Sequence, residues 1–295
     1  MTTILDTIVA KKREELAAMQ RSLPLERVRE QAAGQPPALD FAAALRGPRP
    51  RGGGGSQLGD GAPARPKDGA PARPGTGETR IIAEIKRRSP SKGEFAWHGD
   101  LPRQVRAYRQ GGAAAISVVT DGPFFGGSFD MLREVKKHSP LPVVQKEFVL
   151  EPYQVFHARS LGADAVLLIA AILPGGLLGE LVALAREVGI ATLVEVVDEQ
   201  QLARACACGA EVVGVNNRDL RTFATDPAQT LRLLPLFDDR QVAVTESGIH
   251  TRADVERMLA AGVDGFLIGE ALMTAPDPAM QLRQLRGETA AEAAS

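Results

Sequence analysis

Four times between residues 111 and 268, a stretch with helical periodicity ends in glycine and runs directly into a short apolar segment. Gly111-Gly112-Ala113 leads to Ala115-Ile116-Ser117-Val118-Val119, and Gly162-Ala163-Asp164 to Ala165-Val166-Leu167-Leu168-Ile169. Gly209-Ala210-Glu211 leads to Val212-Val213-Gly214-Val215, and Gly262-Val263-Asp264 to Gly265-Phe266-Leu267-Ile268. Glycine adopts the left-handed conformation that stops a helix. The short apolar run behind it reads as a strand buried on both faces. Four more such runs, at 80–86, 141–146, 191–196 and 241–245, bring the strands to eight. The segments at 154–161, 179–188, 199–207 and 252–261 have helical period and good helix formers. Eight alternating strand–helix units over about 200 residues predict an α/β fold, a (β/α)8 TIM barrel. A doubly wound open sheet is the alternative. It would use fewer strands and a Gly-rich turn after the first, and neither G-x-G-x-x-G nor G-x-x-x-x-G-K-[ST] is found there.

The 295 residues leave room beyond a barrel. Residues 3–20 fit an amphipathic helix, with Ile4, Leu5, Ile8, Val9, Leu16 and Met19 near one side and Lys11-Lys12-Arg13-Glu14-Glu15 on the other. Shorter helices are expected at 24–33 and 39–46. Residues 47–79 are rich in Gly and Pro and repeat Asp-Gly-Ala-Pro-Ala-Arg-Pro at 60–66 and 68–74. Such a stretch has too little apolar surface to offset its ordering entropy. The expected organisation is a helical extension (1–46), a disordered low-complexity insertion (47–79), the barrel (80–286) and a flexible tail (287–295).

A formal charge of −1 and a pI near 6.5 give no general pull toward nucleic acid or an anionic membrane. Cys206 and Cys208 are the only cysteines and point to different sides of one helical pattern. They are expected to be small buried residues in a reducing cytoplasm, with neither a disulfide framework nor a metal site. The longest apolar run, 165–173, stops at Pro174, short of the roughly 18–20 residues that span a bilayer. Asp6 interrupts the N-terminus, which lacks the basic start and apolar block of a secretory leader.

Chemistry is expected where the strands end. In Ile81-Ile82-Ala83-Glu84-Ile85-Lys86, side chains two apart share a face, so Ile82, Glu84 and Lys86 point one way. An edge strand with a solvated face would also carry two such charges. In a barrel, Ile82 fills the interior and Glu84 and Lys86 emerge at the mouth. The other strands end in Lys146, Glu195, Asn216 with Asn217, and Glu246 with Ser247. Two lysines and three glutamates converging on one mouth read as a catalytic cluster, against the alternative of salt-bridged rims. Glu246-Ser247-Gly248 and Ile268-Gly269-Glu270 place backbone N–H groups and a helix start together after strands seven and eight, the phosphate position of such barrels. Arg218, Ser89 and Lys92 are further donors to a phosphate.

These residues together resemble the indole-3-glycerol-phosphate synthase family, a barrel of tryptophan biosynthesis. The matching stretches are Ile82-Ala83-Glu84-Ile85-Lys86-Arg87-Arg88-Ser89-Pro90-Ser91, Lys146-Glu147-Phe148, Leu193-Val194-Glu195-Val196, Gly214-Val215-Asn216-Asn217-Arg218-Asp219-Leu220 and Glu246-Ser247-Gly248-Ile249. Glu147 stands where the family commonly has Asp, and the 47–79 insertion is unusual for it. The resemblance implies a carboxy-lyase that needs no cofactor or metal. It would convert 1-(2-carboxyphenylamino)-1-deoxyribulose 5-phosphate to indole-3-glycerol phosphate, CO2 and water. It also implies an N-terminal extension packed over the barrel mouth and a cytoplasmic enzyme with an anionic small-molecule substrate. A monomer is expected.

By the same resemblance Lys146 is the acid at the ketone, with Glu195, Lys86 and Glu84 the acid–base candidates for dehydration. Lys86 can also face the substrate carboxylate. Asn216, Ser247, Glu246, Phe125 and Phe148 would bind the substrate, the two phenylalanines as walls for its ring. Ser89, Arg218, Gly248, Gly269 and Glu270 would hold its phosphate. A sugar-phosphate isomerase or tryptophan synthase α-type barrel would need fewer mouth lysines. A barrel that only binds a phosphorylated ligand, its linker recruiting a partner, has little use for paired acids and bases.

Overall fold

Apolar residues on both faces of each strand demand a sheet covered on both sides, and a closed parallel barrel provides it. In the computed structural model, which describes residues 3–46, 79–90, 92–95, 99–219 and 224–288, eight strands pair in parallel and close. They are β1 (Arg80–Ile85), β2 (Ala115–Val119), β3 (Val143–Lys146), β4 (Ala165–Ile169), β5 (Ala191–Val196), β6 (Val212–Asn216), β7 (Val242–Glu246) and β8 (Gly265–Ile268). The first and last pair with each other, Ile82 opposite Leu267. All eight expected strands are present. The third starts two residues later than expected, behind Pro142, which has no N–H for the ladder. The sixth and seventh run on to Asn216 and Glu246, which face each other in register. The expected insertion, apart from Thr79, and the tail from 289 on lie outside the described residues, as do Ser91 and Leu220.

Alternation along β1 sorts the two cores. Ile81, Ala83 and Ile85 pack outward against the helices, while Ile82 joins Val144, Leu167, Leu193, Val244 and Leu267 inside the barrel. The outer layer includes α4 (Leu101–Gln110), α6 (Phe129–His138), α7 (Pro152–Ser160), α8 (Leu177–Val188), α9 (Glu199–Ala207), α10 (Ala228–Leu233), α11 (Arg252–Ala261) and α13 (Pro278–Arg286), with α5 (Gly122–Phe125) and α12 (Glu270–Met273) as short turns at the mouth. The stop glycines Gly112, Gly162, Gly209 and Gly262 all have positive φ. Among the described residues no helix is long and apolar enough to cross a membrane.

The N-terminal helices depart from expectation. Of α1 (Ile4–Ser22), α2 (Leu25–Ala33) and α3 (Phe41–Leu45), only α1 reaches the mouth. α2 packs on α7, outside the barrel. α3 closes the opposite end: Phe41, Ala42 and Leu45 are buried in the barrel's interior cluster. On either side of it, the Leu39 N–H donates to Asp164 Oδ1 at 2.8 Å, and Arg46 pairs with Glu211, just before β4 and β6 respectively. A barrel floor of Ile82, Ala115 and Val212 needs an apolar cover, and Phe-Ala-Ala-Ala-Leu supplies it. Nor is the charged run of α1 all solvated, since Lys12 is only 4% exposed and faces inward. Cys206 and Cys208 are half-buried free thiols rather than fully buried.

Candidate active site

β1 lifts Glu84 to the barrel mouth, where it is 2% exposed. Its Oε1 accepts from Lys86 Nζ at 2.6 Å. β3 brings Lys146 to the centre. Its Nζ donates to Glu246 Oε2 at 2.7 Å and lies 3.7 Å from Glu195 Oε2 and 3.8 Å from Glu84 Oε2. Thus one ammonium sits among three carboxylates from β1, β5 and β7. Burial would strip Lys146 of its proton, but Glu246, Glu84 and Glu195 outweigh that and hold its pKa above the usual lysine value. Burial pushes Glu84 up, yet Lys86 and Lys146 more than offset it and the net shift is downward. Burial dominates at Glu246, and with Glu195 and Glu84 opposing the pull of Lys146 its carboxyl rises to about 7. Glu246 Oε1 is buried without a hydrogen-bond partner.

The space for that carboxylate is made by a missing side chain. A methyl group at Gly214, on β6, would stand directly against Glu246 Oε1 and within 3.3 Å of Leu193 Cδ1. Gly214→Ala is therefore expected to displace Glu246 from Lys146 and lower kcat about 10–100-fold with little change in KM. Steady-state kinetics on the folded variant check it. Gly269 has the same relation to Glu84, whose Oε1 a Cβ there would stand directly against.

Phe125 and Phe148 form an aromatic wall, their ring centroids 6.0 Å apart and tilted by 36°. The wall is fastened from behind. Lys12 Nζ lies 2.6 Å from Glu15 Oε2, 3.1 Å from Asp121 Oδ2 and 3.1 Å from Glu147 Oε1. Asp121 Oδ1 accepts from the N–H groups of Phe124 (2.8 Å) and Phe125 (3.2 Å), and Glu147 Oε1 accepts from Phe148 N–H (2.8 Å). Burial raises the Glu147 pKa against the opposing pull of Lys12.

At the other side, Ser247 has a φ of +67° and Gly248 one of +78°. Positive φ is unusual for serine, and it turns the chain sharply at the end of β7. A side chain at Gly248 would meet Thr225 Cγ2 at 2.7 Å. Arg218 and Lys92 reach this corner, and the carboxylate of Glu270 lies 3.8 Å from Arg218 Nη2 and 3.0 Å from Lys92 Nζ. Asn216 Oδ1 accepts from the Arg218 N–H at 3.0 Å. Asn217 turns away instead, bonding Thr245, Thr230 and the Ser247 carbonyl.

One cavity is lined by Glu84, Lys86, Ser89, Phe125, Lys146, Phe148, Glu195, Asn216, Arg218, Ser247, Gly248, Gly269 and Glu270. Of the residues singled out from the sequence, Glu246 stands behind the lining, bound to Lys146, and Asn217 and Lys92 are also outside it, Asn217 turned away and Lys92 paired with Glu270. The cavity adds Phe95, Glu147 and His250. Lys86 Nζ lies 5.7 Å from the Phe95 ring centroid. Phe95 follows a two-residue hairpin, Arg88–Ser89 against Gly93–Glu94, that sequence reading missed because its strands are too short to show alternation.

The family model described as indole-3-glycerol phosphate synthase matches residues 71–285. A curated indole-3-glycerol phosphate synthase from Albidiferax ferrireducens is 43% identical over 286 residues, covering 97% of this chain and 98% of that protein. Among solved structures, 3-hexulose-6-phosphate synthase from Salmonella typhimurium has a TM-score of 0.55 at 16% identity, covering 71% of this chain and 97% of that one. Thiamine phosphate pyrophosphorylase from Pyrococcus furiosus has a TM-score of 0.52 at 18% identity, covering 72% and 95%. Likenesses at these identities concern the barrel fold alone.

Proposed function

The chain belongs to the indole-3-glycerol phosphate synthase family, and from that premise we propose how its barrel mouth carries out the reaction. The activity is that of a carboxy-lyase of tryptophan biosynthesis. The substrate, 1-(2-carboxyphenylamino)-1-deoxyribulose 5-phosphate, closes a pyrrole ring and loses CO2 and water.

The observation that carries the assignment of roles is Lys146 among Glu84, Glu195 and Glu246. When the aromatic carbon attacks the ketone, negative charge builds on the ketone oxygen. A fixed ammonium stabilises that charge and then supplies the proton. The raised pKa of Lys146 keeps it charged throughout the neutral range. It makes Lys146 first an electrostatic partner of the developing oxyanion, and an acid as the alkoxide becomes the stronger base. Lys86 faces the substrate carboxylate, and its departure as CO2 is favoured between the apolar faces of Phe125 and Phe148. The hydroxyl and a ring proton then leave. Glu195, Lys86 and Glu84 are the acid–base groups within reach of that step, and Glu246 holds Lys146 in place.

Asn216 and Ser247 hydrogen-bond the substrate. Its phosphate sits at the corner of Gly248, Gly269, Arg218 and Ser89, where the backbone N–H of Glu270, not its carboxylate, suits an anion. The test is direct: purified protein mixed with substrate is expected to generate the fluorescence of the indole product. Consumption of substrate without an indole chromophore would overturn the assignment.

A further inference from the structure

The phosphate corner contains its own anion. Glu270 is about one-quarter exposed and lines the cavity between Gly269 and Arg218. Its two oxygens face different cations, Oε1 toward Lys92 Nζ at 3.0 Å and Oε2 toward Arg218 Nη2 at 3.8 Å. His250 lines the same corner. These are the groups that a phosphoryl oxygen would seek in that position. We propose that Glu270 is an internal stand-in for the phosphate, occupying Lys92 and Arg218 while the site is empty and yielding them when a phosphorylated ligand arrives. The proposal rests on the reading of this corner as the phosphate site.

Three physical features support it. A carboxylate and a phosphate dianion cannot share the same cations without strong mutual repulsion, so one must leave. Glu270 has somewhere to go, because it is partly open to solvent and its side chain turns about three bonds. It also stays ionised near neutrality. Burial would raise its pKa, but the Lys92 hydrogen bond, reinforced by the charges of Lys92, His250 and Arg218, more than compensates. The consequence is a phosphate site deliberately weaker than its cations allow. Glu270 then limits affinity for phosphorylated substrate and speeds the departure of phosphorylated product.

The experiment measures inorganic phosphate as a competitive inhibitor of turnover, and its direct binding by calorimetry, in wild type, Glu270→Gln, Glu270→Asp and Arg218→Met. Glu270→Gln keeps the shape and removes the charge. It is expected to bind phosphate about 10-fold tighter and to lower KM by a similar factor. Glu270→Asp keeps the charge and is expected to stay within about 3-fold of wild type. Unchanged or weaker phosphate binding in Glu270→Gln would overturn the proposal. So would equal tightening in Glu270→Asp, since loss of contact rather than of charge would then be responsible. The underlying reading is tested separately by wild type and Arg218→Met. If phosphate competes with substrate and Arg218→Met weakens it, the corner is the phosphate site whatever Glu270 does. Failure of both removes the site itself, and the stand-in with it.

Discussion

Lys146→Ala is expected to lower kcat by about three orders of magnitude, while substrate still binds. Removing a positioned acid typically costs roughly 10²–10⁴ in rate, and Lys146 also supplies the fixed charge that meets the developing oxyanion. The phosphate corner and the Phe125–Phe148 wall are untouched, so KM is expected to move far less than kcat. Single-turnover fluorescence, with circular dichroism to establish folding, separates these quantities. The substitution leaves Glu84, Glu195 and Glu246 with only Lys86 nearby, which also gives it a pH signature. Glu246 already titrates near 7, and without Lys146 its pKa rises further. A carboxyl whose folded pKa exceeds its unfolded value costs stability as pH climbs from about 4.5 through the folded value. The variant's melting temperature, relative to wild type, is therefore expected to fall between pH 5 and pH 8. Turnover within 10-fold of wild type would remove Lys146 from the chemistry.

The second large effect lies outside the lining. Lys12→Met is expected to destabilise the fold by about 3–5 kcal/mol, the usual cost of breaking a buried ion pair by removing one partner. At about 2–4 °C per kcal/mol for a chain somewhat smaller than this one, that is roughly a 10 °C loss in melting temperature. Methionine fills much of the lysine's volume, so the loss is one of charge rather than packing. Asp121 and Glu147, 1% and 3% exposed, are left facing each other without a cation. Burial, which already raises the Glu147 pKa, is then no longer opposed by Lys12, so the destabilisation is expected to shrink toward pH 4 and grow above it. Because these two carboxylates hold the N–H groups of Phe125 and Phe148, KM should rise as well. Thermal melts from pH 4 to 8 check the prediction. A constant difference across that range would point to packing instead.

Strands were legible because burial on both faces leaves an unbroken apolar run, and before four of them a glycine marks the end of the preceding helix. Glu84 and Lys86 were legible because strand alternation puts them above Ile82, and Lys146 and Glu195 because they close their strands. Lys12 was hidden by its neighbours. Lys11-Lys12-Arg13-Glu14-Glu15 reads as a solvated face, yet Ile8, Lys12 and Leu16 are spaced four apart, and that spacing alone marks Lys12 as inward-facing. Gly214 was hidden for another reason. A glycine inside a strand says that something approaches closely, but only the fold reveals that Glu246 arrives from the neighbouring strand. The position of α3 was likewise out of reach, since an apolar pentapeptide suits either end of a barrel.

Where α3 lies has a bearing on traffic. With Phe41 and Leu45 wedged into the floor and Ile82, Val144 and Leu193 packed above them, that end is sealed among the described residues and the cavity opens at the mouth. Substrate enters, and gas, water and the indole product all exit, through the same opening. Nothing new is admitted until the last occupant has gone, so crowding by product should register as strictly competitive.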